Sequence, residues 1–253
     1  IAMFRSTGIP ESAEVMAVSI NGSTVDFTKG EEKISSATSL QRIVLRIPSV
    51  PPNGTVSATV DYKFNVKDNS GVSALSPVGS QFLPTSFWYP TPNSWYFARG
   101  ADFAPVRLHV QASGQTVVSS GVESAGASDQ KLSSQPFFVA GNWDSINSSG
   151  VTVMVPKGSG AEEQKRAAEL AAIASEAKAF AMKLMGVAPD VPIRLVAVER
   201  GGGFSGGGTI LFEDVALRRN KVDSQTAMNI ADAMAKLWLG NAVVVNGDGF
   251  GVI

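Results

Sequence analysis

The sequence predicts an α+β chain in two parts: an all-β saddle or sandwich over residues 1–155, then an α+β part over 156–253 with a small sheet packed on two helices. Three observations predict it. Short apolar runs of period two recur between Gly, Pro, Asn and Ser punctuation until about residue 155. At Pro156 the period changes to three and four, the spacing of one helical face. The composition, 44% hydrophobic and 17% charged over 253 residues, is that of a chain able to bury at least one full core.

The strand-like runs of the first part are 43–47, 55–66, 106–110, 137–140 and 151–155. Residues 48–54, 69–77 and 123–134 read as long polar loops. From Pro156 onward, Ser159 with Glu162 three residues later fits a capping box, and Leu170, Ile173, Ala177, Phe180 and Leu184 step by three and four. A helix over 160–185 follows, ended by Gly186 with Pro189 beyond. Residues 192–198 read as a buried strand. The glycine-rich run from Gly201 to Gly208 separates it from a strand over 209–212. A second helix over 224–239 carries Ala227, Ile230, Ala231, Met234, Leu237 and Trp238 on its apolar face and ends at Gly240-Asn241.

Charge and composition exclude several chemistries. With 21 basic and 22 acidic side chains and no run of either sign, there is no electrostatic footprint for nucleic acid or an anionic membrane. The absence of cysteine removes disulfides, thiolate nucleophiles and cysteine metal sites. There is one histidine, His109. The first and last residues, Ile1 and Ile253, suggest a piece of a longer chain, exported or membrane-associated, whose membrane contact would come through other segments.

The string from Ile230 to Asn241 resembles the active-site helix of the aminopeptidase N-like gluzincin metallopeptidases, in which H-E-x-x-H is followed by a W-x-G-N tail. The tail matches in Trp238, Gly240 and Asn241. Trp88-Tyr89-Pro90, residues 103–110, 114–121 and Phe138-Val139-Ala140-Gly141 resemble family stretches in the family's order, so the likeness covers roughly 81–241. It implies a saddle-like β domain followed by part of a thermolysin-like domain. In that family two histidines four apart bind zinc and the glutamate between them activates the metal-bound water. The equivalent positions here are Asp232, Ala233 and Lys236. Asp248 lies in a stretch resembling the patch of the family's third ligand, but closer to Lys236 than that ligand lies to the second histidine. Ser205-Gly206-Gly207-Gly208 stands where the family carries its G-x-M-E-N exopeptidase loop, and lacks the glutamate that holds a substrate's amino terminus.

An ammonium at Lys236 repels a divalent cation and ligates one only after losing its proton. Asp232 and Lys236, acid on the amino-terminal side and four apart, favour a helix ion pair. No cofactor is therefore expected, although the family would use zinc. The expected function is a non-catalytic homologue of a zinc aminopeptidase that binds a peptide or protein partner or forms homo- or hetero-oligomers. The competing expectation is a metallopeptidase whose ligands lie outside this segment. Association is expected to cover apolar faces of the second helix.

Other candidates carry less. His109 sits on a strand-like alternation and reads as a hydrogen-bonded structural residue; no G-x-S-x-G turn marks a serine for it to activate, Ser205 being only a faint echo. The glycine run lacks the G-K-[ST] ending of a phosphate cradle and leads into a strand, leaving a loop over a peptide groove or a plain turn. Phe87, Trp88, Tyr89, Trp95, Tyr96 and Phe97 read as interdomain core or groove lining, and Glu213-Asp214 as solvated charges.

Overall fold

The computed structural model describes residues 2–4, 12–33, 39–47, 49–66, 73–76, 79–84, 88–90, 105–130 and 136–238. The chain groups into two compact units, residues 1–76 with 82–103, and residues 77–81 with 104–253.

The first unit is antiparallel β. Its strands are β1 (Ala2–Phe4), β2 (Ser12–Ile20), β3 (Ser23–Thr24), β4 (Phe27–Lys33), β5 (Ser39–Leu45), β6 (Ala58–Asn65) and β7 (Ser73–Ser76). Two three-stranded sheets, β1-β5-β4 and β3-β2-β6, share a core of Val15, Val18 and Ile43, with Phe27, Leu45, Val60 and Tyr62 against it. Alternation along β2 and β6 sends one face inward, and a register shift between Val15 and Ala17 turns Met16 out to solvent. Rings of Phe64, Phe82, Trp88 and Tyr89 follow one another at 5.8, 6.2 and 5.3 Å. Tyr62 donates its hydroxyl to the Trp88 carbonyl at 2.8 Å, and burial pushes that phenol up to about 12. Trp88 and Tyr89 of the aromatic cluster thus pack in a ring-to-ring chain; Phe87, Trp95, Tyr96 and Phe97 lie outside the described residues.

The second unit adds β8 (Gly79–Phe82), β9 (Val106–Leu108), β10 (Thr116–Ser119), β11 (Val122–Ser124), β12 (Ala127–Gln130), β13 (Phe138–Gly141), β14 (Trp143–Ser148), β15 (Val151–Pro156), β16 (Arg194–Val198), β17 (Ser205–Gly206) and β18 (Thr209–Glu213), with helices α1 (Ala161–Met185) and α2 (Ser224–Ala235). The polar loop expected over 123–134 contains a hairpin instead: β11 and β12 pair through Ala125-Gly126, both at positive φ. The same two-residue turn, with both central residues left-handed, joins β2 to β3 at Asn21-Gly22, β14 to β15 at Ser149-Gly150 and β17 to β18 at Gly207-Gly208. This is the type I′ geometry whose twist matches that of the strands.

A five-stranded sheet in the order β14-β15-β16-β18-β17 organises the rest of the unit. β15, β16 and β18 run parallel, α1 forming the crossover between the first two, and both outer strands are antiparallel. The near-continuous apolar runs of the central strands suit burial on both faces. Their helix-facing side chains Val153, Val155, Leu195, Ile210 and Phe212 join Leu170, Ile230, Met234 and Leu237 in one core. The sequence reading put the strand over 151–155 with the β part and read none over 143–148; both β14 and β15 are hydrogen-bonded into the sheet that carries β16 and β18. Arg194 explains part of that union. Its guanidinium donates to the Ser119 carbonyl at 2.8 Å and to Thr209 Oγ1 at 3.1 Å, joining β16 to β10 and β18. Burial lowers its pKa, opposed by the charge of Glu123.

Helix α1 begins one residue later than the Ser159–Glu162 box implies. Glu163 accepts from the Gly160 amide at 2.8 Å, while the Ser159 hydroxyl donates back to the Pro156 carbonyl at 2.7 Å. Its buried face is Ala167, Leu170, Ala171, Ala174 and Ala181. Phe180 and Leu184, expected in the core, stand in solvent. Buried Arg166 holds the approach to α2 by donating to the Arg219 and Asn220 carbonyls while pairing with Glu169. Among the described residues no helix is long and apolar enough to cross a membrane.

Candidate functional site

The glycine-rich run folds into an ordered hairpin. Gly203 donates to the Leu211 carbonyl at 2.7 Å, Leu211 donates to that of Phe204 at 2.8 Å, and Ser205 pairs with Ile210 across β17 and β18. Gly208 is required on two counts: its φ is +78°, and a Cβ there would stand 2.3 Å from the Pro192 carbonyl oxygen. The Phe204 ring anchors the hairpin edge-on to Phe137 at 4.9 Å. Ser205 therefore belongs to a strand at the open end of the sheet.

A cleft of about 310 Å³ lies beside this hairpin, its lining including Gly202, Ser205, Glu213, Arg219, Asn229 and Asp232. The helical contribution follows from α2. Asp223 caps it, accepting from the Thr226 amide at 2.9 Å and the Thr226 hydroxyl at 2.8 Å, and pairing with Arg219. The Thr226 amide, then its hydroxyl, hold the Asp223 carboxyl down at about 2 against a smaller desolvation effect, and the hydrogen bond and the charge of Arg219 each add less. The cap fixes the helix so that Thr226, Asn229 and Asp232, three apart, line the cleft while Ile230, Ala233 and Met234 are buried.

The residues singled out by the sequence separate accordingly. Asp232 lines the cleft and pairs with Lys236, Oδ2 to Nζ 3.0 Å, the side chains 60% and 47% exposed. Ala233 is 5% exposed, is part of the core and is not among the cleft's lining residues. Asp248 lies outside the described residues. Glu213 lines the cleft, whereas Asp214 pairs with Arg218 at 2.9 Å. His109 donates from Nδ1 to the Gly126 carbonyl at 2.7 Å and its Nε2 lies 3.2 Å from the Gln111 amide, so the ring holds the β11–β12 turn. Among the described residues no three of His, Asp and Glu converge as a metal site. Sequence reasoning missed Arg219, Thr226 and Asn229 as cleft residues. The i, i+3, i+6 spacing of polar Thr226, Asn229 and Asp232 was the signal available for the helical pair, and Arg219, ahead of the helix, carried none.

No family model and no curated protein matches this chain by sequence. Solved structures do match it in fold. Native yeast leukotriene A4 hydrolase superposes with a TM-score of 0.63 at 14% identity, over 95% of this chain and 39% of that one. The same enzyme in complex with bestatin gives 0.59 at 15%, over 94% and 38%. The chain has an M1-like fold. A mutant M1 zinc metallopeptidase from Deinococcus radiodurans gives 0.50 at 14%, over 95% of this chain and 56% of that one. The M1-like chain thus spans 39% of the yeast enzyme's length, and its mostly β architecture matches the N-terminal β domain of M1 peptidases.

Proposed function

We propose that this chain is a non-catalytic relative of the zinc aminopeptidases, a binding or scaffolding module of a longer protein whose α+β part is of the thermolysin type. One observation carries the reading. On α2, at the positions that resemble the zinc-binding helix, Asp232 and Lys236 neutralise each other at 3.0 Å while Ala233 faces the core. This donor set does not fit zinc: one carboxylate already paired to an ammonium, beside a methyl, offers neither a ligand pair nor a base for a water molecule.

The cleft supports binding without hydrolysis. β17 ends the sheet, and an edge strand can add an extended peptide through main-chain hydrogen bonds. The polar side chains of Glu213 and Asn229 line the cleft where they can orient such a segment.

The competing reading is a metallopeptidase completed by ligands from outside these residues, and its motivation is the 39% share of the yeast enzyme's length that the chain spans. Elemental analysis of the purified chain, alongside hydrolysis of aminoacyl reporter substrates, separates the two. We expect substoichiometric zinc and no hydrolysis. Stoichiometric zinc removed by chelator together with reporter turnover would sink the pseudoenzyme reading.

A further inference from the structure

We propose that the carboxyl-terminal half of α1 is a self-association surface that pairs antiparallel with the same helix of a second copy of this chain. The helix buries its alanine face internally, but a second apolar stripe runs beside it through Ile173, Ala177, Phe180 and Leu184, with Val187 just past the Gly186 cap. Its steps alternate between four and three, the spacing of a coiled-coil seam. Ile173 and Ala177 are half-buried against the core, whereas Phe180, Leu184 and Val187 are 64%, 70% and 89% exposed. Met182 and Met185 beside them are exposed as well.

The charges flanking the stripe say what covers it. Glu176 and Lys183 are both exposed and stand seven residues apart, roughly 10 Å along the axis and beyond each other's reach. The positions three and four away from either hold no opposite charge: Ala172, Ile173, Ala179 and Phe180 surround Glu176, and Ala179, Phe180, Gly186 and Val187 surround Lys183. Neither takes part in an ion pair among the described residues.

A two-fold axis level with Ala179 sets Glu176 of each copy across from Lys183 of the other to within one residue's rise, roughly 1.5 Å. The same axis brings Phe180 against the small Ala177 and Leu184 against Ile173, alternating large and small as interdigitating layers require. A parallel, in-register pairing would keep Glu176 and Lys183 seven residues, roughly 10 Å, out of level with each other, so charge selects the antiparallel arrangement.

Sedimentation equilibrium of the purified 253-residue chain across roughly 1–100 µM tests this. The mass should rise from 26.4 kDa toward twice that value. Phe180→Glu and Leu184→Glu, at exposed positions, should hold the monomer mass with unchanged thermal midpoints, and Phe180→Ser reads the same loss should a charged variant misfold. Glu176→Lys should raise the dissociation constant about tenfold or more by reversing two contacts at once. The double variant Glu176→Lys/Lys183→Glu should restore it. A wild-type chain that stays monomeric throughout, or a dimer indifferent to both Phe180→Glu and Leu184→Glu, overturns the surface. Failure of the charge swap to restore association overturns the antiparallel pairing.

Discussion

Reinstating the missing catalytic carboxylate tests how α2 is oriented. Ala233 is 5% exposed in a core shared with Leu170, Ile230 and Met234, and it is absent from the cleft lining although Asp232 is present there. Ala233→Glu must therefore place a longer, polar side chain into packed apolar surroundings. Overpacking costs about 1–3 kcal/mol, and desolvating even a protonated carboxyl without a partner adds about 1–3 kcal/mol. The expected loss of about 3–5 kcal/mol corresponds, at an m-value near 2–3 kcal/mol per molar, to a downward shift of about 1–2 M in the urea midpoint followed by helix ellipticity. The sign of the pH dependence is fixed. Burial raises the new carboxyl's folded pKa above its unfolded value of about 4.3, so the penalty is full above the folded pKa and shrinks as pH falls through it. The variant should recover part of its deficit on acidification. Asp232→His, on the exposed side, should stay within about 0.5 kcal/mol of wild type. An Ala233→Glu protein as stable as wild type at neutral pH, with the triple variant Asp232→His/Ala233→Glu/Lys236→His taking up one zinc, would show that position 233 faces the cleft and would refute the reasoning.

Further outcomes follow from the same geometry. Gly208→Ala should lower stability by about 2 kcal/mol or more, through both its left-handed backbone and the Pro192 carbonyl, whereas Gly207→Asn, with open space around it, should be nearly silent in a thermal melt. Asp223→Ala should lower the melting midpoint at neutral pH by removing the α2 cap; because the folded pKa is depressed to about 2, the wild-type advantage should be intact above about pH 4 and vanish as pH falls through 2. Arg194→Leu should cost about 2–3 kcal/mol by leaving the Ser119 carbonyl and the Thr209 hydroxyl without their donor, read as a loss of urea resistance at constant helix content.

Much of the α/β layout was legible because its signals are local. The change of period at Pro156, the stop at Gly186 and the apolar period from Ser224 placed α1 and α2 within a few residues of their observed bounds. The finer α1 start was not, because both Ser159–Glu162 and Gly160–Glu163 satisfy the three-residue spacing and only the path of the chain chooses between them. β14 was missed because its sequence, Trp143 to Ser148, is polar and lies at a sheet edge where alternation is weak. The apolar period of α1 was read correctly as far as it goes. Periodicity reports which side chains prefer to leave water, and says nothing of whether this chain supplies the cover for Phe180 and Leu184. At the site, the Asp232–Lys236 pair followed from helical spacing alone, while the cleft depends on β17 being an edge strand, a property of strand order that no local pattern encodes.

The Gly207-Gly208 turn differs from its three counterparts in one respect. Asn21, Ala125 and Ser149 each put a side chain at the first left-handed position, whereas here both positions are bare. The same glycine-rich run includes Gly202 and Gly203, which do line the cleft, and there it presents only amide and carbonyl groups, which are alike in every peptide. A partner meeting those two glycines is measured by the extension of its backbone, and preference for particular residues is exercised elsewhere in the cleft, by Glu213, Asn229 and Asp232. Changes at Glu213 and on α2 should therefore retune which partner is held, and changes at Gly202 and Gly203 should alter how firmly.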